Sequence, residues 1–377
     1  MNLAGGVSVS AAVQTRYSRK PEEGIGTDVL LARACRMAME SAGTSSDQID
    51  GFGVASFTLG PDRAIDLAVK LALSPTWIMD SAGGGASGID MLQHAVSAIR
   101  TGDARRILLV GGDVFSKESF AHLVRHYNRA MTSDYGDVAG FGPNVMFALI
   151  TSRQMELHGL RREDYGSLVC KQRLGAATNP NAVYRKPLSM REYLEAPVVA
   201  DPLSILDCVP VVSGACAVIV EADTLTTGSP RVIVQAVAAH HNFDLHGGDG
   251  TVTGLGSAAR KLWSATGWSP SALSVLALYD DYPAVVIAQL IDLGILRDGH
   301  VASDLHALLN SDVALNSSGG MLSAGQCGAG AGLHFVVDAV NALRARNVGS
   351  KAVVSGYGMV ASRYGACANA AALELVQ

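Results

Sequence analysis

Apolar positions along the chain switch between the helical and the strand period. Asp28 to Ser41 (DVLLARACRMAMES) spaces its apolar residues as an amphipathic helix does, and Gly43 supplies a stop. Ile49 to Ala55 (IDGFGVA) reads as a short strand and Ile65 to Leu73 as a second helix. Trp77, Ile78 and Met79 lead into the turn Ser81-Ala-Gly-Gly-Gly-Ala-Ser-Gly88, and a long helix follows from Ile89 to Arg100. Arg106 to Gly112 (RILLVGG) is a continuous apolar run, the mark of a strand buried on both faces.

From Ser116 to Pro202 the pattern changes. Charges, tyrosines and prolines increase, and helices appear without obvious strands, so 116–202 reads as an inserted cap. Its tyrosines (127, 135, 165, 184, 193) suit a bulky apolar pocket. Buried strands return at Ala215 to Glu221 and Val232 to Ala239. The last third repeats the opening. Strand Leu273 to Tyr279 precedes helix Pro283 to Leu293, and Asn316 begins a second glycine-rich segment. Helix Leu333 to Arg346 and strand Lys351 to Ser355 follow, ending in the loop Gly356-Tyr-Gly358. Strand, glycine-rich turn, long helix, strand occurs in both thirds. This indicates internal duplication, with halves at 1–115 plus 203–235 and at 236–377. Duplicated α/β halves predict a layered sandwich of two sheets around buried helices.

Composition narrows the function. Of 377 residues, 49% are apolar and 17% charged, against an ordinary charged share of about 25%, so a large core is required and disorder is excluded. Net charge is −5 without any block of like charge, so no basic face for nucleic acid is expected. No apolar run approaches the roughly 18 residues of a membrane helix, and the first residues lack the basic region of a secretory signal. The expectation is a cytoplasmic protein. The six cysteines are scattered without a CxxC pair, which argues against a zinc site or a disulfide framework in this chain.

Three strings carry the chemistry: Leu278-Tyr-Asp-Asp-Tyr-Pro283, Asn316-Ser-Ser-Gly-Gly320 with Gly325-Gln-Cys-Gly328 and Gly332, and Val354-Ser-Gly-Tyr-Gly358. A glycine turn opening a helix also presents free N–H groups and a positive dipole end, suited to a developing oxyanion. In this order the strings resemble the thiolase superfamily, on the branch similar to sterol-carrier-protein thiolases and thiolase-like lipid-transfer aldolases. Gly85-Ala-Ser-Gly88 resembles the family's Cys-x-Ser-Gly nucleophile loop. Tyr279-Asp-Asp-Tyr282 stands where the family has Asn-Glu-Ala-Phe or His-Asp-Cys-Phe. Asn316 to Gly332 resembles Asn-x-x-Gly-Gly…Gly-His-Pro…Gly, and Ser355-Gly-Tyr-Gly358 the terminal Cys-x-Gly loop. The resemblance implies an α/β thiolase fold, with duplicated βαβαβαββ halves forming an αβαβα layered sandwich under an inserted cap.

Departures from the family decide the expected chemistry. The nucleophile slot is Gly85, or Gly84 if the loop shifts by one, and neither can hold an acyl group. The activating histidine is Gln326, which has no titratable proton, and the second cysteine is Ser355 or Gly356. The resemblance therefore implies retro-aldol cleavage of a 3-hydroxyacyl-CoA without a covalent acyl-enzyme. In that role Tyr279 acts on the β-hydroxyl, Gln326 and the N–H groups of the Gly83–Gly88 loop hold the enolate, and Tyr357 offers a second phenol. Asp280, Asn316, Gly319, Gly320, Cys327 and Gly358 support the site. Ser87 is expected to cap the helix, and Cys327 to be a packing residue. Asp280 and Asp281 should point to opposite sides, one orienting Tyr279 and the other solvated or a cap. The alternatives are an acyltransferase using a displaced thiol such as Cys327, and a non-catalytic subunit. No tightly bound cofactor and no metal are expected, with coenzyme A entering as part of the substrate. The implied partners are an acyl-CoA ester, a second copy of the chain in a homodimer core and a small OB-fold zinc-ribbon protein.

Overall fold

The computed structural model describes residues 6–126, 143–225, 230–243, 248–360 and 365–377. Twelve strands are β1 Val7–Gln14, β2 Gly51–Ala55, β3 Trp77–Asp80, β4 Arg106–Asp113, β5 Val198–Ala200, β6 Leu203–Ser204, β7 Gly214–Ala222, β8 Arg231–His241, β9 Val275–Ala277, β10 Ala314–Leu315, β11 Lys351–Val360 and β12 Gly365–Val376. The described helices are α1 Thr27–Ala42, α2 Arg63–Lys70, α3 Ser87–Thr101, α4 Lys117–His126, α5 Pro143–His158, α6 Arg162–Thr178, α7 Met190–Leu194, α8 Leu255–Thr266, α9 Pro283–Asp292, α10 Val301–Leu309, α11 Gly320–Ala324 and α12 Ala331–Arg344.

Ten strands form one sheet in the order β10-β9-β11-β12-β8-β1-β7-β4-β2-β3. Matching β1 to β8, β2 to β9, β3 to β10, β4 to β11 and β7 to β12 makes the two halves mirror each other in strand order. Each half has three parallel strands followed by two antiparallel ones. This is the duplication read in the sequence. The two expected sheets are nevertheless joined: Ser8 and Val9 pair with Ile233 and Val232 across the middle. The expected boundary between residues 235 and 236 falls inside β8, whose residues 231–241 pair with β12 of the second half.

Apolar faces sort into three cores, as a five-layer arrangement requires. The central core holds α3 and α12 between the two halves. One outer core packs α1 and α2 on β2, β4 and β7. The other packs α8, α9 and α10 on β9, β11 and β12, with Leu168 and Val169 of the cap. α12 is central: Ala331 to Val340 has no exposed residue, and Asp338 Oδ1 accepts from Ser317 Oγ at 2.8 Å and Ser318 N at 2.9 Å. The cap ends in a strand, β5, which pairs antiparallel with β6 just beyond residue 202, where only helices were expected. Tyr127 and Tyr135 lie outside the described residues. No helix among the described residues is long and apolar enough to cross a membrane.

Buried Asp113, at the end of β4, ties the halves together. Its Oδ1 accepts from Ser56 Oγ at 2.7 Å, Phe57 N at 2.7 Å, and Thr58 N and Oγ1 at 2.8 Å. Its Oδ2 accepts from Ala329 N at 2.8 Å, across to the turn that opens α12. Burial raises its carboxyl above the usual range, against the pull of those donors. A Cβ on Gly328 would lie 2.1 Å from Asp113 Oδ2, and Gly328 is left-handed at φ +68°, so that turn needs glycine. Asp113→Ala strands these donors and should lower unfolding free energy by about 3 kcal/mol or more in urea melts; an unchanged midpoint would contradict this role.

Candidate active site

Two helix starts converge at the centre of the molecule. A Cβ on Gly88, in the first turn of α3, would lie 2.3 Å from the Gly332 carbonyl carbon in α12, and one on Gly332 would lie 2.8 Å from Gly88 N. Only glycine on both helices permits this backbone contact. The turn before α3 is pressed equally hard by β11. A Cβ on Gly358 would meet Gly83 O at 2.5 Å and Gly85 N at 2.7 Å. Gly356 to Gly358 therefore belongs to β11, which runs on to Val360, rather than to a loop. Asn369 of β12, fully buried, donates through Nδ2 to Ala86 O at 3.0 Å and anchors the turn from the other side.

Gly85 faces a ring. A Cβ built on it would stand 2.2 Å from Tyr279 Cε2 and 2.5 Å from Tyr279 Cζ, and 2.4 Å from Tyr357 O. Tyr279 therefore fills the space that any side chain at position 85 would need. The Tyr279 and Tyr357 rings lie 6.1 Å apart and both residues are 2% exposed. Gly84 is left-handed at φ +58°.

The backbone of Tyr279 is fixed by two side chains. Its N–H donates to Ser355 Oγ at 3.0 Å, and Gln289 Nε2 donates to its carbonyl at 2.6 Å. Ser355 Oγ in turn donates to Gln289 Oε1 at 2.5 Å, closing a ring of polar contacts. The Tyr279 hydroxyl donates to Asp281 Oδ2 at 2.7 Å. Asp281 Oδ1 is buried and accepts no hydrogen bond. Burial raises the Asp281 carboxyl to about 6, while the Tyr279 hydroxyl and the neighbouring Gln326 amide favour its ionised form. The Gln326 amide is oriented by its Oε1, which accepts from Gly328 N at 2.9 Å. That leaves Nε2 as the end that can donate, with the Asp281 carboxylate beside it.

Asp280, three residues beyond the end of β9, points the other way. It is fully buried, accepts from Met321 N at 2.8 Å at the start of α11, and takes Gln172 Nε2 of the cap at 2.8 Å. Burial raises its carboxyl well above the ordinary range. Asp280 is thus a cap and a tie to the inserted region, and Asp281 is the orienting partner of Tyr279. Asn316 spends both amide ends on the Leu278 backbone, at 2.7 and 2.8 Å, and so acts as a staple. Gly319 and Gly320 are left-handed, and a Cβ on Gly320 would lie 2.0 Å from Asp280 Oδ2.

Two expectations change, and that for Cys327 holds. Ser87 Oγ is buried without a hydrogen-bond partner, so Ser87 does not cap α3. Two of the cap tyrosines line no pocket: Tyr193 donates to Asp207, Tyr165 donates to Gln154 at 3.1 Å, and both are core. Cys327 is indeed buried, but in company. Tyr17 Oη lies 3.2 Å from Cys327 Sγ, 3.0 Å from Cys216 Sγ and 3.2 Å from His334 Nδ1. Burial lowers His334 to about 4 and raises Cys216 well above its usual value, so the histidine is neutral and the Cys216 thiol protonated. No group of three or more histidine, cysteine or acidic side chains among the described residues is arranged to hold a metal ion.

Residues 236–373 match the family described as Thiolase C-terminal domain-like. That match spans most of the second half of the duplicated sheet. It is 25% identical over 348 residues to a 17-hydroxy-3-oxo-4-pregnene-20-carboxyl-CoA lyase of Mycobacterium tuberculosis, covering 85% of this chain and 87% of that one. It is 25% identical over 370 residues to a steroid side-chain-cleaving aldolase of Thermomonospora curvata, covering 92% of each. Among solved structures, the Ltp2-ChsH2(DUF35) aldolase superposes with a TM-score of 0.82 at 20% identity, over 100% of this chain and 99% of that one. A monomeric SCP2-thiolase-like protein of Mycobacterium smegmatis superposes with a TM-score of 0.77 at 17% identity, over 98% and 77%. Both likenesses bear on the thiolase fold, which the strand order shares between its halves.

The Gly85–Tyr279 contact gives a direct test. Gly85→Cys should lose about 2 kcal/mol of stability or more through overpacking, and a double-mutant cycle with Tyr279→Ala should recover the part that the ring imposes, the rest remaining with the Tyr357 carbonyl. Additive losses would show that the ring is not what excludes the side chain.

Proposed function

We propose that this chain cleaves the carbon–carbon bond beside the thioester of a 3-hydroxyacyl-CoA by a retro-aldol reaction, with no acyl group attached to the protein. One observation carries this reading. The ring that leaves no room for a nucleophile at position 85 places its own hydroxyl on a buried carboxylate. Such a pair suits proton removal from a hydroxyl and does nothing for thioester attack.

The step balances as follows. The substrate β-hydroxyl gives its proton to Tyr279 Oη as Tyr279 passes its own to Asp281 Oδ2. The oxygen lone pair becomes the new carbonyl, the C2–C3 bond breaks, and its electrons move into the thioester enolate. Gln326 Nε2 and the N–H groups at the Gly84–Gly85 turn are the donors for that enolate oxygen. Protonation at C2, by the proton that Asp281 holds and Tyr279 relays, then releases the shortened acyl-CoA and restores the carboxylate. Tyr357 lines the same space as a second phenol. Coenzyme A enters as part of the substrate, and no tightly bound cofactor is required by these steps.

Two relatives named for CoA-ester lyase and aldolase activity support the reaction class, and their names point to a steroid-like acyl group. The DUF35 partner named in the solved aldolase supports a small OB-fold zinc-ribbon partner for this chain, added to a homodimer core. The displaced-thiol alternative loses ground, because Cys327 is 0% exposed against the Tyr17 hydroxyl.

Ketone or aldehyde release from a 3-hydroxyacyl-CoA, without free CoA, is the expected result; turnover that needs free CoA and stops with iodoacetamide would overturn it. Tyr279→Phe should slow turnover at least about tenfold, and by up to about 10⁴-fold, the usual span of acid–base effects. A pH profile gives the sign independently. Asp281 must be ionised to receive the proton, so kcat/KM should fall as pH drops through about 6, and Asp281→Asn should remove that limb along with most of the rate.

A further inference from the structure

The phenol of Tyr17 takes no part in the steps described above, yet three other segments meet on it. Its hydroxyl lies 3.0 Å from Cys216 Sγ in β7, 3.2 Å from Cys327 Sγ in the turn before α12, and 3.2 Å from His334 Nδ1 inside α12. All four side chains are 3% exposed or less. A hydroxyl donates once and accepts twice, so the three contacts can be met together. His334 is neutral, and its Nε2 lies 3.5 Å from Ser318 Oγ, which extends the cluster to the segment before α11. The ring itself is pinned. Tyr17 N donates to Asn181 O at 3.1 Å, and Ser18 and Ser213 exchange backbone hydrogen bonds at 2.8 and 3.0 Å. A Cβ on Gly214 would lie 2.3 Å from Tyr17 Cδ1, so the ring rests directly on the start of β7.

This cluster closes on Gln326. Gln326 N donates to Pro210 O at 2.9 Å and Val212 N donates to Gln326 O at 3.0 Å, so its backbone runs beside the segment that leads into Ser213 and Gly214. Cys327, the next residue, has its sulfur against Tyr17, and Gly328 N holds the Gln326 amide through Oε1. We propose that Tyr17 is a positioning residue for Gln326: its hydroxyl, through Cys327, sets the turn that aims Gln326 Nε2 at the thioester enolate. The role given to Gln326 rests on the function proposed above; the hold of Tyr17 on the turn does not. A donor displaced by about 1 Å loses much of its pull on developing charge, so a phenol buried behind the site can govern rate without touching substrate.

The test uses the full chain with Tyr17→Phe, which removes the hydroxyl and keeps the ring on Gly214. Turnover of a 3-hydroxyacyl-CoA should fall about three- to tenfold in kcat with KM little changed, the size of one lost hydrogen bond. In a Gln326→Ala background the same substitution should change kcat by less than about twofold, because the group it acts through is gone. Cys327→Ala breaks the link from the other end, should reproduce both results, and keeps the test standing if Tyr17→Phe does not fold. Losses of equal size with and without Gln326 would overturn the proposal, since a general loosening of structure is additive. Hydrogen exchange needs no turnover. The Gly328 amide, measured against those of β2, should exchange roughly tenfold faster in either variant, and an unaltered rate overturns the hold on the turn. A wild-type chain that cleaves no 3-hydroxyacyl-CoA would sink the proposed reaction, while exchange at Gly328 would still decide whether Tyr17 holds the turn.

Discussion

The contact between Gly88 and Gly332 governs the interior. Two helices from the two halves of the sheet start at the same point, backbone against backbone, because neither carries a Cβ there. Everything that presses on this point must be thin as well. Gly356 and Gly358 let β11 run against the Gly83–Ala86 turn, and Gly328 makes room for the carboxylate of Asp113. The positive ends of α3 and α12 are thereby focused on one small region, where low polarity around them strengthens their pull on negative charge.

Tyr279 is the side chain brought to that region, and its position is over-determined. Ser355 and Gln289 hold its backbone, Asp281 holds its hydroxyl, and Gly85 provides the face on which it lies. The neighbouring Asp280 fastens the same segment to α11 and, through Gln172, to the cap. Tyr282 extends the link: its hydroxyl donates to Asn144 at 2.7 Å and its ring stacks on Phe147 at 4.2 Å. Movement of the cap is therefore felt at the Tyr279 segment through two routes, one polar and one aromatic.

Much of this was legible in the sequence because it rests on period and on glycine. The alternation of apolar strands with long helices gave the duplicated halves, and the glycine strings marked where backbones meet. Tyr279, Gln326 and Tyr357 do share one region with Gly85. What stayed hidden depends on pairs far apart in the chain. Asp281 is set apart from Asp280 only by which one the Tyr279 ring reaches. Gln289 is one apolar-face position of an ordinary helix until Ser355, 66 residues on, is placed beside it. Asn369 sits in an alanine-rich strand without any motif. Ser87 sat in a capping position, yet its hydroxyl finds no partner there.

The 2.2 Å separation between a would-be Cβ at position 85 and the Tyr279 ring also limits how such a centre can be altered. The two positions behave as a single lock with two keys. Installing sulfur at one without shrinking the other produces a clash, and shrinking the aromatic first leaves a void where the phenol had been. Each one-residue route between thiol chemistry and phenol chemistry thus crosses a defective intermediate, so interconversion demands a paired exchange.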